Sequence, residues 1–178
     1  MSRTFIPHII TPDKALGGME IEKSIKFNNH SNSADDAQLY RTIGTTSNRK
    51  TYTHSFWAKR SKRIGGIVYG VTDNSGSYFH YFLFESSDKV TVNEYRYNES
   101  PSNKIRYRTN RYFRDLNSWY HFVVAIDTTQ STAGDRQKIY VNGERLDSFE
   151  ISVNPDQNLD TYINSTSPYP AYRIGLAG

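Results

Sequence analysis

The sequence predicts an all-β protein: an antiparallel β-sandwich of jelly-roll type, preceded by an extended amino-terminal arm. Three observations carry this. Tyrosine, phenylalanine and tryptophan number 14, 9 and 2, and with the many Thr, Val and Ile they suit a pleated, half-buried surface. Short apolar or alternating runs recur between Gly, Pro, Asn and Asp clusters, and no stretch keeps a 3.6-residue apolar period over several turns. Asn142-Gly143 lies between two strand-like runs, where a type I′ hairpin needs two residues that tolerate positive φ.

Residues 1–18 read as the arm. Pro7, Pro12, Gly17 and Gly18 break regular pairing around the apolar residues Phe5, Ile6, Ile9 and Ile10. The sandwich is expected over residues 19–178. Candidate strands follow at Ser24 to Phe27 and Leu39 to Ile43. In Thr51 to Lys59, Tyr52, His54, Phe56 and Ala58 share one parity. Arg63 to Val71 is apolar but glycine-rich, which predicts a bend or a close approach of backbones. Asp73 to Gly76 is a turn cluster.

Tyr78 to Glu85 is a strongly aromatic strand, and Lys89 to Tyr97 follows a short turn. Ile105, Tyr107 and Thr109 alternate with Lys104, Arg106 and Arg108, a clean two-residue period. Trp119 to Asp127 is apolar on both parities and reads as a central, covered strand. Gln137 to Val141 leads into the Asn142-Gly143 turn, Glu144 to Ile151 returns, and Ala171 to Ile174 is the last candidate.

At 178 residues the chain suits one domain plus an arm, and its sandwich can fold on its own core. With no cysteine it has neither disulfides nor thiolate metal sites. The amino end lacks the apolar core of a secretory signal, and no run reaches the ~20 apolar residues of a membrane helix. The net charge of +4 is too mild to name a partner.

The segment Tyr112 to Gly143 is the most specific. Trp119 and His121 lead through Asp127 to Tyr140, Val141, Asn142 and Gly143. This resembles the signature hairpin of laminin G-like, concanavalin A-like jelly rolls. Phe113-Arg114-Asp115, Asp127-Thr128-Thr129, Asp135-Arg136, the opening seventeen residues after Met1 and Asn48 to Ser61 are similar to members found in phage tail fibres and other virion proteins. The resemblance implies a non-catalytic structural or interaction module of a virion appendage, made in the host cytoplasm. Its arm would dock on neighbouring tail proteins, and the assembly would be a homotrimer. Members of the family usually continue past the Ile174-Gly175 position into a further strand that closes the sandwich, and with this sequence stopping at Gly178 that final strand is expected to be missing from it. Recognition of a host-surface glycan by a lectin-like site is the alternative function, and glycoside hydrolysis a remote one.

Glycosidase chemistry needs two carboxylates across the scissile bond. Glu20 and Glu22 share a parity, and Glu85 and Asp88 straddle a turn, but no strand carries an acidic cluster. His8, His30, His54, His80 and His121 show no metal-ligand spacing, and His121 reads as a hydrogen-bonded structural residue. Calcium on Asp127, Asp135 and Asn142 is conceivable by donor type; loop capping is the preferred reading, so no cofactor is expected. The sharpest local feature is Arg96 to Arg114, with Arg96, Lys104, Arg106, Arg108, Arg111 and Arg114 against Glu99 alone, interleaved with Tyr95, Tyr97, Tyr107 and Tyr112. It is a candidate surface for an anionic partner, although no nucleic-acid motif accompanies it, and the alternation favours the plainer reading of a solvated face of two strands whose Tyr and Ile side packs inward. Trp57 and Trp119 lie in strand-like runs, and core packing is expected for both.

Overall fold

The computed structural model describes residues 24–27, 38–72, 78–166 and 171–177. Eleven strands occur among them: β1 (Leu39–Thr42), β2 (Thr51–Ala58), β3 (Gly66–Thr72), β4 (Tyr78–Phe84), β5 (Val90–Arg96), β6 (Asn103–Thr109), β7 (Tyr120–Asp127), β8 (Gln137–Val141), β9 (Glu144–Arg145), β10 (Phe149–Val153) and β11 (Ala171–Ala177). A seven-stranded sheet runs β1-β11-β3-β4-β5-β6-β10, and a four-stranded sheet runs β2-β7-β8-β9. Every pairing is antiparallel.

Alternation decides which side chains face inward. Phe82 and Phe84 of β4, Val90 and Val92 of β5, and Ile105 and Tyr107 of β6 meet Phe122, Val124 and Ile126 of β7 and Ile139 and Val141 of β8. Phe82 joins the layers: its ring centroid lies 5.0 Å from those of Phe56 and Phe122, both edge-on, the favoured geometry for a buried aromatic pair. Phe113 enters the same core from the loop before β7.

Two glycine features follow the sequence. Gly143 has φ of 85° and Asn142 of 53°, so the β8–β9 turn takes the left-handed conformations expected of it. A Cβ on Gly70 would lie 2.5 Å from the carbonyl oxygen of His80 and 3.0 Å from Cβ of Tyr81, so β3 and β4 approach as the glycine-rich pattern predicts.

Three expectations are corrected. Ser24–Phe27 forms no strand; instead Phe27 lays its ring against the backbone of Gly175. Glu144 to Ile151 is not one strand. The chain pairs with β8 through β9 and one further backbone bond from Leu146 to Ile139, then crosses to the other sheet, where β10 pairs with β6. The crossing buries apolar surface that a straight hairpin would leave outside: Leu146 and Phe149 pack on the core, Phe149 with its ring 4.8 Å from Tyr107. β7 is central in its sheet, but only its Phe122-Val124-Ile126 face is fully buried.

The long loop after β10 is pinned rather than loose. Ser47 N–H donates to the Asn164 carbonyl, Thr161 N–H to the Arg49 carbonyl, and Arg49 Nε returns a 2.6 Å bond to the Thr161 carbonyl. Ile163, in this loop, is fully buried.

Candidate functional site

The two sheets do not end together. β2 is the outer strand of the four-stranded sheet, while β3, β11 and β1 extend the seven-stranded sheet. A groove of about 1010 Å³ runs along the outer edge of β2. Its inner wall includes His54 and Phe56 of β2, Tyr69 of β3 and Tyr172 of β11, and Ser24–Phe27 lies along it. The backbone groups on the far side of β2 have no strand partner among the described residues.

The mouth is aromatic. Trp57 and Trp119 both line the groove and are 47% and 46% exposed, so the expected core packing of both is overturned. The reason is parity. Tyr52, His54, Phe56 and Ala58 are the half-buried residues of β2, so Trp57 projects outward with Thr51, Thr53 and Ser55. Trp119 precedes β7 on the outward parity, opposite to Phe122, Val124 and Ile126. Trp57 stacks on His121 at 5.0 Å with 27° between the planes. His121 is held in turn: its Nε2 lies 2.9 Å from Ser55 Oγ, and its backbone N–H donates to Asn142 Oδ1 at 2.8 Å. The hydrogen-bonded, structural reading of His121 therefore stands, and its ring lies against that of Trp57.

The groove is also cationic. Lys26, Lys59, Arg60 and Lys62 are among the described residues lining it, and no aspartate or glutamate is. His54 adds no charge near neutrality. Burial, and then the neighbouring His80, push its pKa down to about 3, and its ring lies 4.3 Å from that of Tyr69.

Beside the groove, Arg60 of its lining and two further arginines outside it converge on Asp88, which is 1% exposed. Arg60 Nη1 donates to Asp88 Oδ1 at 3.0 Å, Arg63 forms a two-pronged pair with both oxygens, and Arg114 Nε lies 3.6 Å from Oδ2. The Arg63 hydrogen bonds, working against burial and joined by those of Arg60, hold the Asp88 carboxyl down to about 2. Arg60 also donates to the carbonyls of Phe113 and Ile64. One carboxylate thus fastens the loops after β2, β4 and β6.

The basic band from Arg96 to Arg114 is divided by the fold. Arg96 turns toward the fully buried Glu94 and also reaches Glu99, and Lys104 pairs with Glu99. Arg108 pairs with Glu85 and Glu150. Lys104, Arg106 and Arg108 lie on the outer face of the seven-stranded sheet, opposite to buried Ile105 and Tyr107. Tyr95 stacks on Phe79 at 5.0 Å, Arg111 lies over the Phe113 ring, and Tyr97 is exposed. Acids distant in sequence therefore meet much of the charge that local counting leaves unopposed.

The candidate arm residues Phe5, Ile6, Ile9 and Ile10 lie outside the described residues, as do His8, Glu20, Glu22, His30 and the Asp73 to Gly76 turn. Of the acids weighed for catalysis, Glu85 and Asp88 are both held in the ionised direction. Burial pushes Glu85 up, but hydrogen bonds from Thr91 and Ser87 and the charge of Arg108 outweigh it. A general acid needs the opposite shift. The oxygen donors weighed for calcium do not converge. Asn142 bonds to His121 at one end of β7, while Asp127 accepts from Thr129 and Gln130 at the other.

One polar cluster escapes sequence reading altogether. His80 and Glu94 are fully buried on paired strands β4 and β5, joined at 2.9 Å through Nδ1 and Oε2. Glu94 also accepts from the Arg96 guanidinium and from the backbone N–H of Tyr162. It ties the sheet to the loop after β10. The parity of Glu94 with Val90 and Val92 is the signal that points to it.

Comparison with known proteins places this geometry. No curated protein sequence matches the chain. Among solved structures it is similar to a heptameric SAP-like pentraxin from Limulus polyphemus (14% identity, TM-score 0.47, 76% of this chain and 56% of that one). It is also similar to domains LG4-5 of the mouse laminin α1 chain (11%, TM-score 0.47, 77% and 31%) and to the carbohydrate-binding module CBM66 from Bacillus subtilis (14%, TM-score 0.43, 79% and 75%). The chain thus spans little over half the length of the pentraxin and a third of the laminin fragment. The laminin G-type family model described as the concanavalin A-like lectin/glucanases superfamily matches residues 31–170. With its signature hairpin, its two antiparallel sheets and that match over most of its length, the chain belongs to the concanavalin A-like lectin/glucanase superfamily.

Proposed function

We propose that this domain is a non-catalytic carbohydrate-binding module whose site is the groove along β2. The observation that carries the reading is the pair of exposed tryptophans at its mouth, Trp57 braced on His121 and Trp119 beside it. Large indoles left in water forgo burial worth about 2 kcal/mol each, a cost with a purpose where a ring must stack on a ligand. A saccharide ring offers an apolar C–H face for such stacking and hydroxyls for the β2 backbone groups that have no strand partner among the described residues. The groove's size is that of an ordinary small-ligand site. Family membership supports the same reading.

A glycan array probed with the wild-type domain and with a Trp57→Ala, Trp119→Ala double variant tests it. Wild type gives discrete signals, and the double variant loses each by tenfold or more, as expected when aromatic anchors worth about 1–2 kcal/mol are truncated. An array without wild-type signal, or one unaffected by the double variant, would sink the reading.

The setting in a phage tail appendage is a second proposal, supported by the likeness of Tyr112 to Gly143 and of the opening residues to virion proteins. Deletion of residues 2–18 from the full-length protein should abolish its incorporation into particles while leaving the domain's fold intact. Normal incorporation would remove the docking role.

A further inference from the structure

Resting on the carbohydrate-binding reading, we propose that the groove takes an acidic saccharide, one bearing carboxylates or sulfate esters. Charge complementarity is the argument. Lys26, Lys59 and Lys62 are exposed on the groove, and none forms an ion pair with a described residue, unlike Arg96, Lys104 and Arg108 on the neighbouring sheet. Arg60, the one arginine among the described lining residues, is neutralised by the buried Asp88, which Arg63 and Arg114 also reach from outside the lining, so the surplus rests on the lysines.

The same-sign charges are not an incidental solvated face. A solvated lysine face is normally interspersed with acids. Here no acid is among the described residues lining the groove, Asp115 acts on Lys59 from outside that lining, and fixed positive charges over a low-dielectric wall focus potential into a cleft. A saccharide stacked on Trp57 and Trp119 would set its ring substituents toward these lysines. A neutral sugar would leave the surplus unanswered. His54, held neutral down to about pH 3 by its surroundings, gives the site no charge of its own between pH 5 and 8.

The test uses the whole chain on an array carrying neutral, carboxylated (uronate and sialate) and sulfated oligosaccharides. The strongest binder is then titrated calorimetrically. Acidic glycans are expected to dominate the signals, with carboxylated and sulfated members separating the two anion chemistries. Affinity for the best of them should fall on the order of tenfold between about 0.05 and 0.5 M salt, as screening shortens the reach of fixed charges. A Lys26→Gln, Lys59→Gln, Lys62→Gln variant should lose most of that affinity and its salt dependence. The corresponding triple arginine variant should retain both, which separates charge from any effect on folding. Neutral glycans binding as well as acidic ones, with no change in the glutamine variant, would overturn the inference and leave the carbohydrate reading standing. No binding to any glycan would remove both.

Discussion

At the residue scale, burial sets the chemistry of single groups. The His54 imidazole is pushed down to about 3 from 6.5 by burial and by His80. Its folded pKa lies below its unfolded one, so the unfolded chain binds more protons between those values. Stability should therefore fall as the pH drops from about 6.5 toward 3. Urea unfolding followed at pH 7, 5 and 3 should show this decline, and His54→Phe, which keeps a ring among Tyr52, Tyr69 and Tyr172, should flatten it. An unchanged slope in the variant would assign the acid sensitivity elsewhere. Asp88 acts lower. Its carboxyl, held near 2 by Arg63 and Arg60, contributes stability above its ordinary range that is lost as the pH falls through about 2. Asp88 has φ of 66°, a conformation that asparagine also tolerates. Asp88→Asn thus removes the charge and keeps the backbone. It should lower the urea midpoint at pH 7 by leaving Arg60 buried without its counter-ion. A midpoint equal to wild type would show that the three arginines need no carboxylate.

At the element scale, two glycines separate two mechanisms. Gly143→Ala meets open space but keeps φ of 85°, so only backbone strain opposes it, about 1 kcal/mol. Gly70→Ala drives a methyl against the His80 carbonyl on β4 and should cost more, roughly 1–3 kcal/mol, because two paired strands must part. Chemical denaturation of both variants checks the order, and Gly143→Ala proving the costlier would contradict it. The elements were largely legible in the sequence. Alternation in β2 and β6 and the Asn142-Gly143 turn read through to the fold because they are local. What was not legible is non-local. Glu144 to Ile151 reads as one strand, yet Leu146 and Phe149 find more burial by crossing sheets. The cations of Arg96 to Arg114 are nearly unopposed within their own stretch until the fold brings Glu94 of β5, Glu85 of the turn after β4 and Glu150 of β10 beside them. The tryptophans are the instructive case. The parity of Tyr52, His54, Phe56 and Ala58 already places Trp57 outward; hydrophobicity argued against the pattern, and the pattern was right.

At the scale of the whole molecule, the groove arises from a mismatch between two sheets. Seven strands face four, and where β3 and β11 run past the edge of β2 the inner wall meets solvent. The chain carries only two tryptophans, and both stand at that opening. Intrinsic fluorescence is therefore a direct reporter of the site. The free protein should show red-shifted emission that acrylamide quenches readily, with a blue shift and protection from quenching when a bound saccharide covers the rings. Emission that a saccharide bound by calorimetry leaves unmoved would contradict the placement of the site on this groove.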